Sequence, residues 1–116
     1  MSNFKIYHNP RCSKSRQTLA LLEENNITPE IIEYLNTPPS IAELTEVISL
    51  LELSPQDLMR KKEEAYKDAN LSDRSLTVKQ QIKLMTEYPK VIERPIVVGN
   101  GKAAIGRPPE SVLDIL

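Results

Sequence analysis

The first 35 residues predict a strand, a helix and a second strand, in that order. Phe4-Lys5-Ile6-Tyr7 is typical of a short strand, which the turn-forming run His8-Asn9-Pro10 ends. Residues 13–25 predict a helix, and residues 30–35 predict the second strand. The apolar face of the helix is expected to contain Leu19, Ala20, Leu21 and Leu22. Such a βαβ unit implies a parallel strand pair joined by a right-handed crossover.

The middle of the chain carries three helix-start signals. They predict a helix over residues 41–51 with a capping box of Ser40 and Glu43, a helix from Ser54-Pro55 to about Arg60, and a helix from Thr77 through Met85. Further on, residues 95–98 and 102–105 flank Gly99-Asn100-Gly101, which is β-hairpin turn chemistry. Pro108-Pro109 then precedes a short helix over residues 111–116.

This order of elements predicts an α/β protein with a thioredoxin-like, three-layer fold and a mixed sheet. We expect one domain over residues 1–116, with a helical segment inserted at about residues 40–88. A length of 116 residues suits a single domain with its own core.

Composition excludes several classes of function. A net charge of -1 indicates neither a nucleic-acid partner nor an anionic membrane partner. One cysteine and one histidine exclude an intramolecular disulfide and a thiolate-rich metal site. No apolar run reaches the roughly 20 residues that span a bilayer, and residues 1–6 lack the pattern of a signal peptide. We therefore expect a cytoplasmic protein with no bound metal, and a monomer is the default expectation.

The single cysteine, Cys12, lies between the first strand and the first helix. Backbone N–H groups and the helix dipole favour an anion at a helix start, and such cysteines have pKa values of roughly 3.5–7.5 instead of about 8.5. The basic neighbours Lys14 and Arg16, and His8, are expected to act in the same direction. The alternative is that Cys12 is simply a small buried apolar residue, although its polar and basic surroundings suit core packing poorly.

Spacing excludes two familiar cysteine chemistries. A tyrosine-phosphatase loop needs Arg six positions after the cysteine, where this chain has Thr18. A dithiol redox centre needs a second cysteine at the position of Ser15. For redox chemistry, the second thiol must therefore come from another molecule.

Six segments, taken in order along the chain, form a recognisable pattern. They are Tyr7-His8-Asn9-Pro10-Arg11-Cys12-Ser13-Lys14-Ser15-Arg16, Tyr34-Leu35-Asn36-Thr37-Pro38-Pro39, Leu58-Met59-Arg60-Lys61, Arg94-Pro95-Ile96-Val97-Val98, Gly106-Arg107-Pro108 and Val112-Leu113-Asp114-Ile115-Leu116. Together they resemble the ArsC family of glutaredoxin-coupled arsenate reductases. The resemblance implies that Cys12 is the nucleophile and that Arg60, Arg94 and Arg107 bind the oxyanion. It further implies that Pro95 is a cis-proline.

The resemblance also implies a chemical route. Cys12 attacks arsenic and displaces water, glutathione attacks next, arsenic passes from the pentavalent to the trivalent state, and glutaredoxin regenerates the thiol as arsenite leaves. Glutathione is then a co-substrate, and no cofactor is tightly bound. His8 and, secondarily, Arg16 are expected to tune the thiolate, and the Ser15 hydroxyl is expected to tune it by donating a hydrogen bond to the sulfur. Guanidinium groups suit the oxygens of arsenate or a similar oxyanion because they donate paired hydrogen bonds.

Simpler interpretations and other functions stay open at this point. Arg60, which is predicted to end a helix, can complement the helix dipole. Arg94 and Arg107 can be solvated surface residues. His8 can support the backbone of its loop. The chain can also be a relative without arsenate activity: a Spx-like regulator that binds RNA polymerase, or a monothiol glutaredoxin-like transferase. Ser15 argues against the first, which uses a Cys-x-x-Cys switch, and three arginines are unnecessary for the second.

Overall fold

A computed structural model describes residues 3–116 of the chain, so Met1 and Ser2 lie outside the description. Four strands form one sheet in the order β2-β1-β3-β4. Their bounds are β1 Lys5–Tyr7, β2 Glu30–Ile32, β3 Ile96–Gly99 and β4 Lys102–Ile105. β1 runs parallel to β2 and antiparallel to β3, and β3 pairs antiparallel with β4. The predicted mixed sheet and its parallel βαβ pair are therefore confirmed.

The chain forms two compact units, of which the first combines residues 3–37 with Arg94–Leu116. Helix α1, Ser13–Glu24, and a C-terminal 3₁₀ helix, Pro109–Ile115, contribute to its core. The buried core consists of Ile6, Leu22, Val97, Val112 and Ile115. These side chains come from two central strands and both helices, so their burial fixes α1 against the sheet.

The second unit, Pro38–Glu93, is helical. It contains α2 Ile41–Leu51, a 3₁₀ helix Pro55–Leu58, α3 Glu64–Asp68, α4 Val78–Glu87 and a 3₁₀ helix Pro89–Val91. The bounds of α2 match the prediction because Ser40 and Glu43 form the expected reciprocal capping bonds, 3.1 Å each. Thr77 caps α4 in the same way through Gln80. The expectation of one domain over the whole chain stays a prediction.

Two local predictions about the helices were wrong. The helix that begins at Pro55 was predicted to reach about Arg60, but it ends at Leu58. Arg60 lies outside it, and its N–H donates to the Val91 carbonyl at 2.6 Å. Ala20 is exposed, whereas Ser15 and Thr18 are fully buried on the inner side of α1. Arg60 therefore cannot act by complementing the end of a helix.

Candidate active site

Cys12 is the N-cap residue of α1, directly after the loop that follows β1. Its N–H donates to the Asn9 carbonyl at 3.0 Å, and its own carbonyl accepts from Arg16 N–H at 3.0 Å, as the first turn of the helix requires. The residue is half-buried. The sulfur therefore lies at the positive end of the helix dipole while keeping access to solvent.

The surroundings of Cys12 favour its thiolate. Partial burial raises the pKa of the thiol, but other groups outweigh this effect and the pKa lies below its ordinary value. In decreasing order these groups are the Ser15 N–H, the charge of Arg94, the Lys14 N–H and the charge of Arg107. The activation thus comes from the first helical turn and from two arginines that are distant in sequence.

Arg107 approaches the sulfur directly. Its Nη2 lies 3.5 Å from the Cys12 Sγ, and its Nε donates to the Arg94 carbonyl at 2.8 Å. The second bond holds the guanidinium in place, so the charge is positioned in advance and not recruited by a ligand. The residues after both arginines, Pro95 and Pro108, follow cis peptide bonds; Pro108 was not anticipated from the sequence.

Gly106 allows the Arg107 segment to lie against α1. Its N–H donates to the Pro95 carbonyl at 2.9 Å, and its own carbonyl accepts a long 3.5 Å hydrogen bond from Thr18 Oγ1. A Cβ at position 106 would collide with Thr18 Oγ1 and lie 2.8 Å from Pro95 Cγ and 2.9 Å from Thr18 Cγ2. The close packing of Gly106 was not predicted from the sequence, in which its position before Arg-Pro is the only local indication.

Ser15 and His8 form a link that differs from the predicted one. Ser15 Oγ lies 2.7 Å from His8 Nδ1 and accepts from Asn9 N–H at 3.0 Å. The hydroxyl therefore ties the loop to α1, while only the backbone N–H of Ser15 acts on the sulfur. The sequence expectation that the Ser15 hydroxyl donates to the thiolate does not match this geometry.

His8 is buried, and this burial lowers the pKa of its imidazole; Glu33 raises that pKa and Arg16 lowers it. A ring with a lowered pKa is neutral at neutral pH, so it adds no positive charge beside the sulfur. Arg16 Nη1 donates to the Pro10 carbonyl at 2.9 Å and is not among the groups that shift the pKa of Cys12. Both residues support the loop, in contrast to their predicted electrostatic role.

Arg60 belongs to the helical unit, where its guanidinium pairs with Glu63 at 3.5 Å. Its participation in the oxyanion site stays a prediction. Within residues 3–116, no group of three or more His, Cys, Asp and Glu side chains could hold a metal ion. Over the same residues, no helix is long and apolar enough to cross a membrane.

A family model described as the ArsC family matches residues 7–115. The chain belongs to the ArsC family. Uncharacterized protein YfgD of Escherichia coli K12 is 56% identical over 97% of this ArsC-family chain and 95% of its own length. An arsenate reductase of Neisseria meningitidis serogroup A is 44% identical over the full length of both chains. A solved structure of an arsenate reductase from Vibrio cholerae is 54% identical, covers 97% of each chain and superposes with a TM-score of 0.93. The thioredoxin-like fold predicted from the sequence is thereby confirmed.

Proposed function

We propose that this ArsC-family protein reduces arsenate to arsenite through an adduct on Cys12, with glutathione and glutaredoxin as the source of electrons. One observation carries the proposal: an activated sulfur at a helix start with the Arg107 guanidinium 3.5 Å away. The names of relatives such as the Neisseria meningitidis arsenate reductase support arsenate as the substrate. The need for an external thiol follows from the single cysteine.

The first chemical step uses the charges around Cys12. The thiolate attacks arsenic, an S–As bond forms, and one arsenate oxygen leaves as hydroxide that becomes water on protonation. Because arsenate and thiolate are both anionic, the attack requires cations that neutralise the incoming oxygens. Arg94 and Arg107 supply this charge in the first unit, and we propose Arg60 as the third oxyanion ligand.

The second step reduces arsenic. A glutathione thiolate attacks the Cys12 sulfur, an S–S bond forms, and the S–As bond breaks. The electron pair of that bond stays on arsenic, which passes from the pentavalent to the trivalent state and leaves as arsenite. A glutaredoxin thiol then attacks the glutathione sulfur of the mixed disulfide and releases Cys12 as a thiolate. Since both reductants belong to a reducing compartment, the proposal implies a cytoplasmic protein. We further propose that it acts as a monomer.

The test is arsenate-dependent NADPH consumption by the purified protein with glutathione, glutaredoxin and glutathione reductase. The wild type should turn over, and Cys12→Ser should not, with an unchanged thermal melt. Replacing Arg60, Arg94 or Arg107 by Ala should each reduce kcat/KM about 10- to 150-fold, the equivalent of a hydrogen bond to a charged group. Turnover of arsenate by Cys12→Ser would refute the mechanism. An arginine whose Ala variant keeps the wild-type kcat/KM is not an oxyanion ligand.

A parallel assay separates the alternative enzyme class. A glutaredoxin-like transferase would release glutathione from a small mixed disulfide. Its rate would not depend on arsenate and would not change when the arginines are replaced. An arsenate reductase should instead show arsenate-dependent turnover that the arginine variants diminish. Activity only in the mixed-disulfide assay would replace the proposed function with transferase chemistry.

A further inference from the structure

A cavity of about 370 Å³ opens beside the loop that carries Cys12. Its lining comes from two segments of the first unit: residues 8–11, which directly precede Cys12, and Glu33, Leu35 and Asn36, which follow β2. The volume lies in the range of small-molecule sites, at its lower end. None of the steps by which Cys12 attacks arsenate uses this cavity.

Both segments are held in place before any ligand arrives. The Asn9 side chain accepts from Arg11 N–H at 3.0 Å, and Arg16 Nη1 donates to the Pro10 carbonyl at 2.9 Å. On the other side, the Glu33 carbonyl accepts from the N–H groups of Asn36 at 2.9 Å and Thr37 at 3.0 Å. The cavity is therefore preorganised, which reduces the entropy lost on binding.

Two charged side chains, Arg11 and Glu33, line the cavity. Among residues 3–116, the Arg11 guanidinium and the Glu33 carboxylate make no hydrogen bond or ion pair with another side chain. Arg11 belongs to one of the two lining segments and Glu33 to the other, so each segment contributes one charge of opposite sign. Leu35 adds an apolar side chain that is 37% exposed.

We propose that this cavity is the binding site of the tripeptide thiol, with Glu33 holding the ammonium group of glutathione and Arg11 holding its glycine carboxylate. The inference rests on the proposed function, because it assigns a place to the co-substrate of that reaction. An extended tripeptide spans about 10 Å, with the thiol on its middle residue. Because Cys12 directly follows Arg11 in the chain, the assignment requires that glutathione, held at both ends, presents its sulfur to Cys12.

The first experiment measures binding without chemistry. S-methylglutathione, which cannot react, is titrated into the wild-type protein while backbone amide resonances are recorded. We expect saturable shifts confined to residues 8–11 and 33–36. Shifts confined to the surroundings of Pro95 and Arg107, or no saturable shift, would overturn the assignment. This readout does not require arsenate turnover, so it stays informative if the proposed function fails.

The second experiment measures KM for glutathione in the coupled arsenate assay. Arg11→Gln and Glu33→Gln should each raise it about two- to fivefold, as expected for exposed ion pairs, and the double variant should multiply the two effects. KM for arsenate should not change. Glu30→Gln and Arg74→Gln, which remove exposed charges outside the cavity, are the matched controls. Equal KM values for glutathione in all variants, with normal arsenate turnover, would overturn the inference and leave the proposed function standing.

A third comparison assigns the two ends of the ligand. γ-Glutamylcysteine lacks the glycine carboxylate, so the wild type should have a higher KM for it than for glutathione. Arg11→Gln should not raise the KM for γ-glutamylcysteine further, whereas Glu33→Gln should. Arg11→Gln raising both KM values equally would contradict the assignment of Arg11 to the glycine end.

Discussion

Replacing Gly106 by Ala tests whether the active site depends on the close approach of the Arg107 segment to α1. The new Cβ would collide with Thr18 Oγ1 and lie 2.8 Å from Pro95 Cγ, and both partners are buried. Contacts this short force the segment or the helix to move. Overpacking of this kind costs about 1–3 kcal/mol. At about 4 °C for each kcal/mol, the melting temperature should fall by roughly 4–12 °C.

The same displacement should change the chemistry of Cys12. Arg107 follows Gly106 directly, and its guanidinium lies 3.5 Å from the sulfur. Moving this charge outward destabilises the thiolate, so the midpoint of the alkylation rate of Cys12 against pH should rise. A displacement approaching 1 Å in a positioned group can reduce catalytic efficiency by about 100-fold, so we expect kcat/KM in the arsenate assay to fall roughly 10- to 100-fold.

Two companion variants make the test specific. Gly101→Ala lies in the hairpin turn with a φ of 69° and open space around it, so it should cost about 1–2 kcal/mol through its backbone without changing Cys12. Adding Thr18→Ala to Gly106→Ala removes two of the three short contacts and should recover part of both losses. A Gly106→Ala protein with wild-type melting and wild-type Cys12 reactivity would refute the packing argument.

Three further predictions concern the groups around Cys12. Arg107→Ala should raise the pH midpoint of Cys12 alkylation by iodoacetamide, whereas Arg16→Ala should not, because Arg107 lowers the pKa of Cys12 and Arg16 does not contribute. Ser15→Ala should leave that midpoint unchanged, since the backbone N–H remains, but should lower stability by about 1–3 kcal/mol in thermal or urea melts by unpairing His8 and Asn9. Because burial lowers the pKa of His8 below its ordinary 6.5, the unfolded chain binds more protons in acid. Stability should therefore fall as pH drops below about 6.5 toward the lowered pKa, and melts of His8→Asn should show a smaller fall.

The elements that the sequence predicted well are those defined by local chemistry. The capping box at Ser40 involves residues three apart, and it set the start of α2 correctly. The hairpin turn at Asn100 and Gly101 needs positive φ at both positions, and the structure has values of 55° and 69° there. In both cases the determining contacts lie within a few residues, so the local sequence contains the necessary information.

The features that the sequence did not predict depend on contacts between distant residues. Thr18 is buried against Gly106, 88 positions away, and its hydroxyl donates to the Lys14 carbonyl at 2.8 Å within α1. An apolar face therefore could not reveal the inner side of α1. Arg60 leaves its predicted helix because Met59 pairs with Ile92 in an isolated β-bridge. Local helix signals at Pro55 were outweighed by this pairing.

The contrast between His8 and the arginines shows which groups supply the positive charge that favours the Cys12 thiolate. A cationic imidazole would activate Cys12 only below its own pKa, so activation would be lost in the range where the thiol itself ionises. Guanidinium groups stay protonated throughout that range. Since His8 is buried and bound to Ser15, the charge beside the sulfur comes from Arg94 and Arg107. The alkylation rate should consequently rise in a single step with pH, and a second inflection near the pKa of an imidazole would show that His8 contributes charge after all.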